Sequence, residues 1–354
     1  MRTPLDGWRQ QRAKRRYMPH VERPRTGRTT KVAALALVVI LAVAALLELR
    51  RGTGAEATLV ELARTEGQAP LELVEAAARS RRLLFLSDIP TAAAPKQFAS
   101  QVIERIASSP GLDLVVLNVD PAEQPYIDRY LATAPEDASI LLGRPRAIRE
   151  GDGASRAFLE IYRTVWRVNQ DLGAARRIRI VAADAPGWPP ARATSPAATA
   201  QLFGQRADRM LEVVLERSLA RDPGARVLFF IDGLHVLRSG GGRVQTGGAT
   251  PVETRWLAAQ MLERFPADVF SVLVDATPSR SVSAAVAAYR GTEFREIFRR
   301  GGIRGGTALP LSAAFNDLSR SPVRTVGTTG LDFTLEPRDT PVTELADAYI
   351  YFGG

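Results

Sequence analysis

The residues able to do chemistry in this chain of 354 are few, and most stand where short apolar runs end. There are two histidines and no cysteine. His20 lies in a basic N-terminal stretch, so His235 is the one imidazole in the remainder. Ser87-Asp88 follows Leu83 to Leu86, and Asn118-Val119-Asp120 follows Leu112 to Leu117. Asp184 comes shortly after Ile178 to Val181, and Asp232-Gly233-Leu234-His235 follows Val227 to Ile231. An Asp88–His235 or Asp232–His235 couple suits acid–base catalysis, the carboxylate orienting the imidazole as general base. No serine stands in a nucleophile-elbow motif, so covalent catalysis has no visible nucleophile. Catalytic zinc wants about three protein ligands, commonly histidines. One histidine and no thiolate leave an aspartate-rich site better suited to Mg²⁺ or Ca²⁺, and no metal ligands are assigned. Each residue also has a plain structural use. A histidine after a buried strand often bonds neighbouring backbone, and aspartates at strand exits cap helices and turns.

The elements that must position these groups follow from hydrophobic period. Short apolar runs at 83–86, 112–117, 178–181, 227–231 and 269–274 read as buried strands, with a closing strand over 348–352. Helical spacing covers Leu59 to Arg79, Lys96 to Ala107, Ala122 to Ala132, Ala154 to Leu172, Gln205 to Ala220 and a stretch near Thr254 to Arg264. Ala185 to Thr199 and the glycine-rich Ser239 to Gly248 read as surface loops, as do the Gly-Gly pairs at 301–302 and 305–306. Strands alternating with helices require crossovers, so the fold class is α/β: a largely parallel sheet with helices on both faces. Ligands of such sheets bind beyond the carboxyl ends of the strands, where the polar exits fall.

The net charge of +9 is unevenly placed. Residues 1–31 hold ten Lys/Arg against Asp6 and Glu22, which leaves the remainder at +1. A basic tail on a near-neutral domain is not the footprint of a nucleic-acid binder. Val32 to Leu47 follows without a polar side chain. With Leu49 and snorkelling flanks it reads as one transmembrane helix before the domain, a retained signal-anchor in preference to a signal peptide cleaved after Ala55-Glu56-Ala57. The positive-inside rule then keeps the N-terminus cytoplasmic and places the main domain outside the cell (inner) membrane. The expected organisation is a tail at 1–31, an anchor at 32–49, a linker and leading helix at 50–80, and the α/β domain at 81–354. The absence of cysteine agrees with an oxidising envelope.

At the strand exits, and along Leu211 to Arg238 (LEVVLERSLARDPGARVLFFIDGLHVLR), the chain resembles the ChaN-like haem-uptake proteins. That group shares a superfamily with the erythromycin esterases and the TraB/Tiki-type proteins. The resemblance spans roughly residues 80 to 275 and LADAYIYFGG at the end. It implies a Gly-Glu-x-His signature where this chain has Ser87, Asp88, Ile89 and Pro90. It implies a glutamate at Asn118, six residues before the retained Gln124, and an Arg-Asp pair where Arg206 is followed by Ala207. A Gly-x-x-His signature becomes Asp232-Gly233-Leu234-His235. The site is thus a degenerate version of the family's. Proline cannot titrate, and the amide of Asn118 can orient a substrate but not take its proton. A cleft that has lost its bases can still recognise a ligand, through Asn118, Arg206, Asp232 and Asp184. Its occupant would be a small-molecule ligand, haem being one, or an envelope partner. The alternative is an esterase-like hydrolase using His235 and Asp88. Tyr126 and Tyr130, spaced for ordinary helix packing, are not assigned as haem ligands.

Overall fold

The computed structural model describes residues 37–42, 54–142, 153–188, 194–245, 250–276, 288–289, 292–312, 315, 324–326, 332–336 and 340–353. Residues 1–53 and 54–354 form separate units. In the first, residues 37–42 are helical, with Leu37 to Leu41 exposed. The rest of the expected anchor at 32–49, and the basic tail, lie outside the described residues. Among the described residues no helix is long and apolar enough to cross a membrane.

The second unit opens with helix α1 (residues 54–65) and α2 (Pro70–Ser80) rather than one helix over 59–79. The break has two causes. A Cβ on Gly67 would lie 2.2 Å from the Ala63 carbonyl oxygen, and Pro70 starts α2 at a position where proline's missing N–H costs nothing. Leu59, Ala63, Leu73 and Val74 are buried, so both helices belong to the domain core, which begins well before residue 81.

The strands follow as β1 (Leu83–Asp88), β2 (Leu114–Leu117), β3 (Arg179–Ala182) and β4 (Val227–Asp232). After these come β5 (Gly241–Gln245), β6 (Val252–Arg255), β7 (Val269–Asp275), β8 (Ala288–Tyr289) and β9 (Thr292–Glu293). The last are β10 (Thr307–Pro310), β11 (Arg324–Val326), β12 (Asp332–Glu336) and β13 (Ala348–Tyr351). The main sheet has the order β10-β13-β7-β1-β4-β2-β3, parallel except at β10–β13. Between the strands run α3 (Ala94–Ile106), α4 (Gln124–Ala132), α5 (Gly153–Asp171), α6 (Pro196–Val214), α7 (Leu257–Arg264), α8 (Phe294–Arg300) and α9 (Val342–Leu345).

Strand period sorts the core into two layers. Leu83 and Phe85 join Phe229 and the helices α1, α6, α7 and α8 on one face. Leu84 and Leu86 join Phe230 and α2 to α5 on the other. Phe85 and Phe229 stack at 4.1 Å between centroids. Both sheet edges are covered by glutamine. The backbone of Gln68 bridges Ala308 of β10, while the Gln124 amide bonds the Ile180 carbonyl and the Ala182 N–H of β3, both at 2.8 Å. Gln124 therefore does what a neighbouring strand would do, and blunts a free edge.

Two expected loops differ. The Pro/Ala/Thr-rich stretch ends in a helix, because Ser195 accepts a hydrogen bond from the Ala198 N–H as N-cap and Pro196 takes the first helical position. The glycine-rich stretch contains strand β5 of a second, antiparallel sheet ordered β11-β12-β5-β6. A Cβ at Gly241 would meet the Thr254 carbonyl oxygen at 2.3 Å, so glycine there serves close strand approach rather than a mobile loop. The helix expected near Thr254 accordingly begins only at Leu257, after β6.

Candidate functional site

Parallel register brings the strand-exit residues together. Asp88 and Asp232 are direct partners across β1 and β4, and Asn118 leaves β2 on the other side of β4. Asp184 leaves β3, beyond β2. Two cations from following helices meet these acids. The Arg206 guanidinium, from α6, donates from Nε to Asp184 Oδ1 at 2.8 Å and from Nη2 to Asp184 Oδ2 at 2.7 Å. Its Nη1 reaches Asp232 Oδ2 at 2.6 Å. Trp188 and Phe203 flank it, 4.5 and 5.3 Å from its carbon to their ring centres. Burial works against the charge of Arg206, but the two carboxylates outweigh it and raise the pKa further. Burial likewise pushes Asp232 up, and Arg206 more than reverses that and holds it below the ordinary carboxylate range.

Asp88 has a different partner from either sequence couple. Lys96 of α3 donates to its Oδ1 at 2.7 Å, and also to the carbonyls of Ile89, Pro90 and Ala92. Both side chains are buried. Burial raises the Asp88 pKa, and the ammonium counteracts only part of it. The backbone of Pro90, which stands where the resemblance implies a histidine, serves only as one of the acceptors that hold Lys96.

His235 sits in the turn after β4, where its carbonyl accepts from the Ala258 N–H of α7. Its side chain is 0% exposed, stacked on Phe203 and edge-on to Trp256. Neither ring nitrogen has a hydrogen-bond partner among the described residues. Asp232 Oδ1 is 3.8 Å from Nε2, beyond a hydrogen bond. Burial lowers the imidazole to about 4, so it is neutral at pH 7. The general-base couple expected from sequence thus lacks its hydrogen bond and its access to water. Asn118 is half-buried and its side chain makes no hydrogen bond among the described residues. Asp232 is 22% exposed, which leaves these two as the site side chains that reach solvent.

Lys96 is the site residue the sequence reading missed. Its signal was present: it falls on the apolar stripe of α3 with Phe98, Ala99, Val102, Ile103 and Ile106. A second missed group lies at the end of β7, where buried Asp275 accepts from the Tyr349 hydroxyl at 2.7 Å and faces Arg295 at 3.6 Å. Asp120, by contrast, is a cap. It accepts from the N–H groups of Ala122 and Gly187 and ties the loop after β3 to the end of β2.

Neither His235 nor Tyr130 offers haem iron a ligand. The iron needs an imidazole nitrogen or phenolate that faces an opening. The nitrogens of His235 are enclosed, and the buried Tyr130 donates to Glu136 within the opposite core layer. Among the described residues no three or more His, Asp or Glu side chains converge to hold a metal ion. Beside the site a groove of ≈ 420 Å³ runs between α6 and the loop after β3, lined by Pro121, Asp184, Pro186, Leu202, Arg209 and Val213 among others.

No protein-family model matches the sequence, and no curated protein does. Among solved structures the chain is similar to a succinoglycan biosynthesis protein, with TM-score 0.57 and 7% identity over 84% of this chain and 97% of that one. It is also similar to a protein of Bacillus cereus, with TM-score 0.58 and 9% identity over 83% and 96%. An erythromycin esterase in an open conformation superposes less well, with TM-score 0.46 and 8% identity over 80% and 94%. The first two establish a shared fold; identities this low carry no activity across.

Proposed function

We propose that this chain is a binding module of the cell envelope, anchored through residues 32–49, and that it does not act as a hydrolase. One observation carries the reading: the acids at the strand exits are paired from within. Arg206 and Lys96 take up Asp184, Asp232 and Asp88, and the imidazole that would serve as base is enclosed without a hydrogen bond. A base must reach the proton that it removes. Binding asks less of the same place. Asn118 and Asp232 keep contact with solvent, and the adjoining groove has an apolar floor of Leu202 and Val213 with charged groups around it. A ligand or envelope partner docking there meets a surface fixed in place by the Arg206 bridges.

Two arms test this. Full-length protein is assayed against p-nitrophenyl acetate and erythromycin beside a His235→Phe variant; equal background rates are expected. Turnover that disappears with the imidazole would sink the reading. In the second arm a photoreactive residue replaces Leu202 in the groove or, as control, Glu104 on the opposite helix layer. A discrete adduct from Leu202 alone is expected, and equal labelling from both would count against the groove.

A further inference from the structure

His235 and its neighbours admit two arrangements. The enclosed ring lies between Phe203 at 5.9 Å and Trp256 at 6.1 Å between centroids, and the Trp256 indole N–H is itself unpartnered. A neutral imidazole tolerates this box as an aromatic ring would. An imidazolium does not, because it brings two N–H donors and a full charge to a place with no acceptor in reach. Asp232 Oδ1 is the nearby acceptor, 3.8 Å from Nε2 and about 1 Å too far. Its other oxygen is held by Arg206. Arg206 can release Asp232 and remain paired, since Asp184 engages it through two further N–H groups. The charged groups that face the ring are Asp232 from the end of β4, Arg206 from α6 and Asp184 from the loop after β3. From the β6–α7 junction comes Trp256, which is uncharged.

That junction is coupled directly to His235: Trp256 packs edge-on to the ring, and the Ala258 N–H donates to the His235 carbonyl. It is held to α6 by the Thr254 hydroxyl, which donates to the Gly204 carbonyl, and by the Gln260 amide, which donates to Asp208 at 2.8 Å, and to β5 by the β5–β6 ladder. We propose that His235 is an acid-operated switch, in which protonation draws Asp232 from Arg206 to the imidazolium and loosens the β6–α7 cover over the carboxyl edge of the sheet. The switch belongs to the fold and goes beyond the binding reading, because it operates whatever docks beside it. The imidazole sits at about 4 in the closed form against an ordinary 6.5. Acidification through that interval raises the ratio of open to closed molecules by about tenfold per pH unit, a few hundredfold in all.

The test follows acrylamide quenching of tryptophan fluorescence in the full-length protein from pH 7.5 to 4, with His235→Phe alongside. Wild type is expected to become more quenchable below pH 6.5 and to recover on neutralisation. The variant should stay closed and melt at a higher temperature than wild type at pH 4.5. An identical acid transition in the variant, or none in wild type, overturns the switch. A second readout needs no variant: the chain has only His20 and His235, so ¹⁵N-imidazole NMR resolves both. One ring must titrate well below 6.5 together with the quenching change. Two rings titrating near 6.5 overturn the proposal. Neither readout contains a ligand, so failure here is separable from failure of the binding reading.

Discussion

Arg206 and His235 share one buried layer and are held in opposite ways. Every terminal group of Arg206 is directed to a carboxylate, and two aromatic faces cover the guanidinium. His235, 0% exposed like Arg206, has aromatic neighbours and nothing at hydrogen-bond distance from its ring. Burial strips water from both, yet it leaves the first charged and the second neutral. The difference shows where the fold keeps its charge. It resides in helix-to-strand ion pairs, which staple α3 and α6 to the sheet, and the histidine behaves as an apolar ring beside them.

Removing the charged member should therefore cost most. Arg206→Met leaves Asp184 and Asp232 without their cation, and a loss at the upper end of about 3–5 kcal/mol is expected in urea unfolding. Lys96→Met should cost about 3 kcal/mol at pH 7. Its loss should shrink on acidification: without the ammonium Asp88 folds protonated, its folded pKa lies above the unfolded value, and that penalty fades as pH falls towards about 4. A penalty that grows in acid would contradict the burial of Asp88.

The imidazole supplies the opposite sign. Its folded pKa is depressed, so its contribution is complete above 6.5 and is lost as pH falls to about 4, by up to about 3 kcal/mol. Denaturant melts of wild type and His235→Phe across that window should diverge by this amount. Gln124→Ala uncovers the β3 edge and should cost about 1–2 kcal/mol through two lost hydrogen bonds. Asn118→Ala should stay within about 0.5 kcal/mol, as its side chain has no partner among the described residues. A larger Asn118 effect would move it from the proposed binding surface into the framework.

Strands such as 227–232 were legible because both of their faces are apolar, and the parallel α/β arrangement followed from their alternation with helices. The convergence of Asp88, Asn118, Asp184 and Asp232 on one sheet edge was legible for the same topological reason. Partner choice was not. Lys96 looks like a surface lysine until the apolar stripe of α3 is drawn through it, and only tertiary packing tells that Asp88 faces it rather than His235. Strand β5 was hidden because its glycines read as turn residues and one of its two ladder partners, β12, lies far along the chain.

The most direct test is equilibrium unfolding of the full-length protein at pH 7.5, wild type against His235→Phe. A ring with no hydrogen bond to lose should be replaced within about 0.5 kcal/mol, or with a gain. A loss of about 1–3 kcal/mol would mean that the imidazole holds a hydrogen bond in the folded protein, contradicting the closed, neutral histidine on which this account rests.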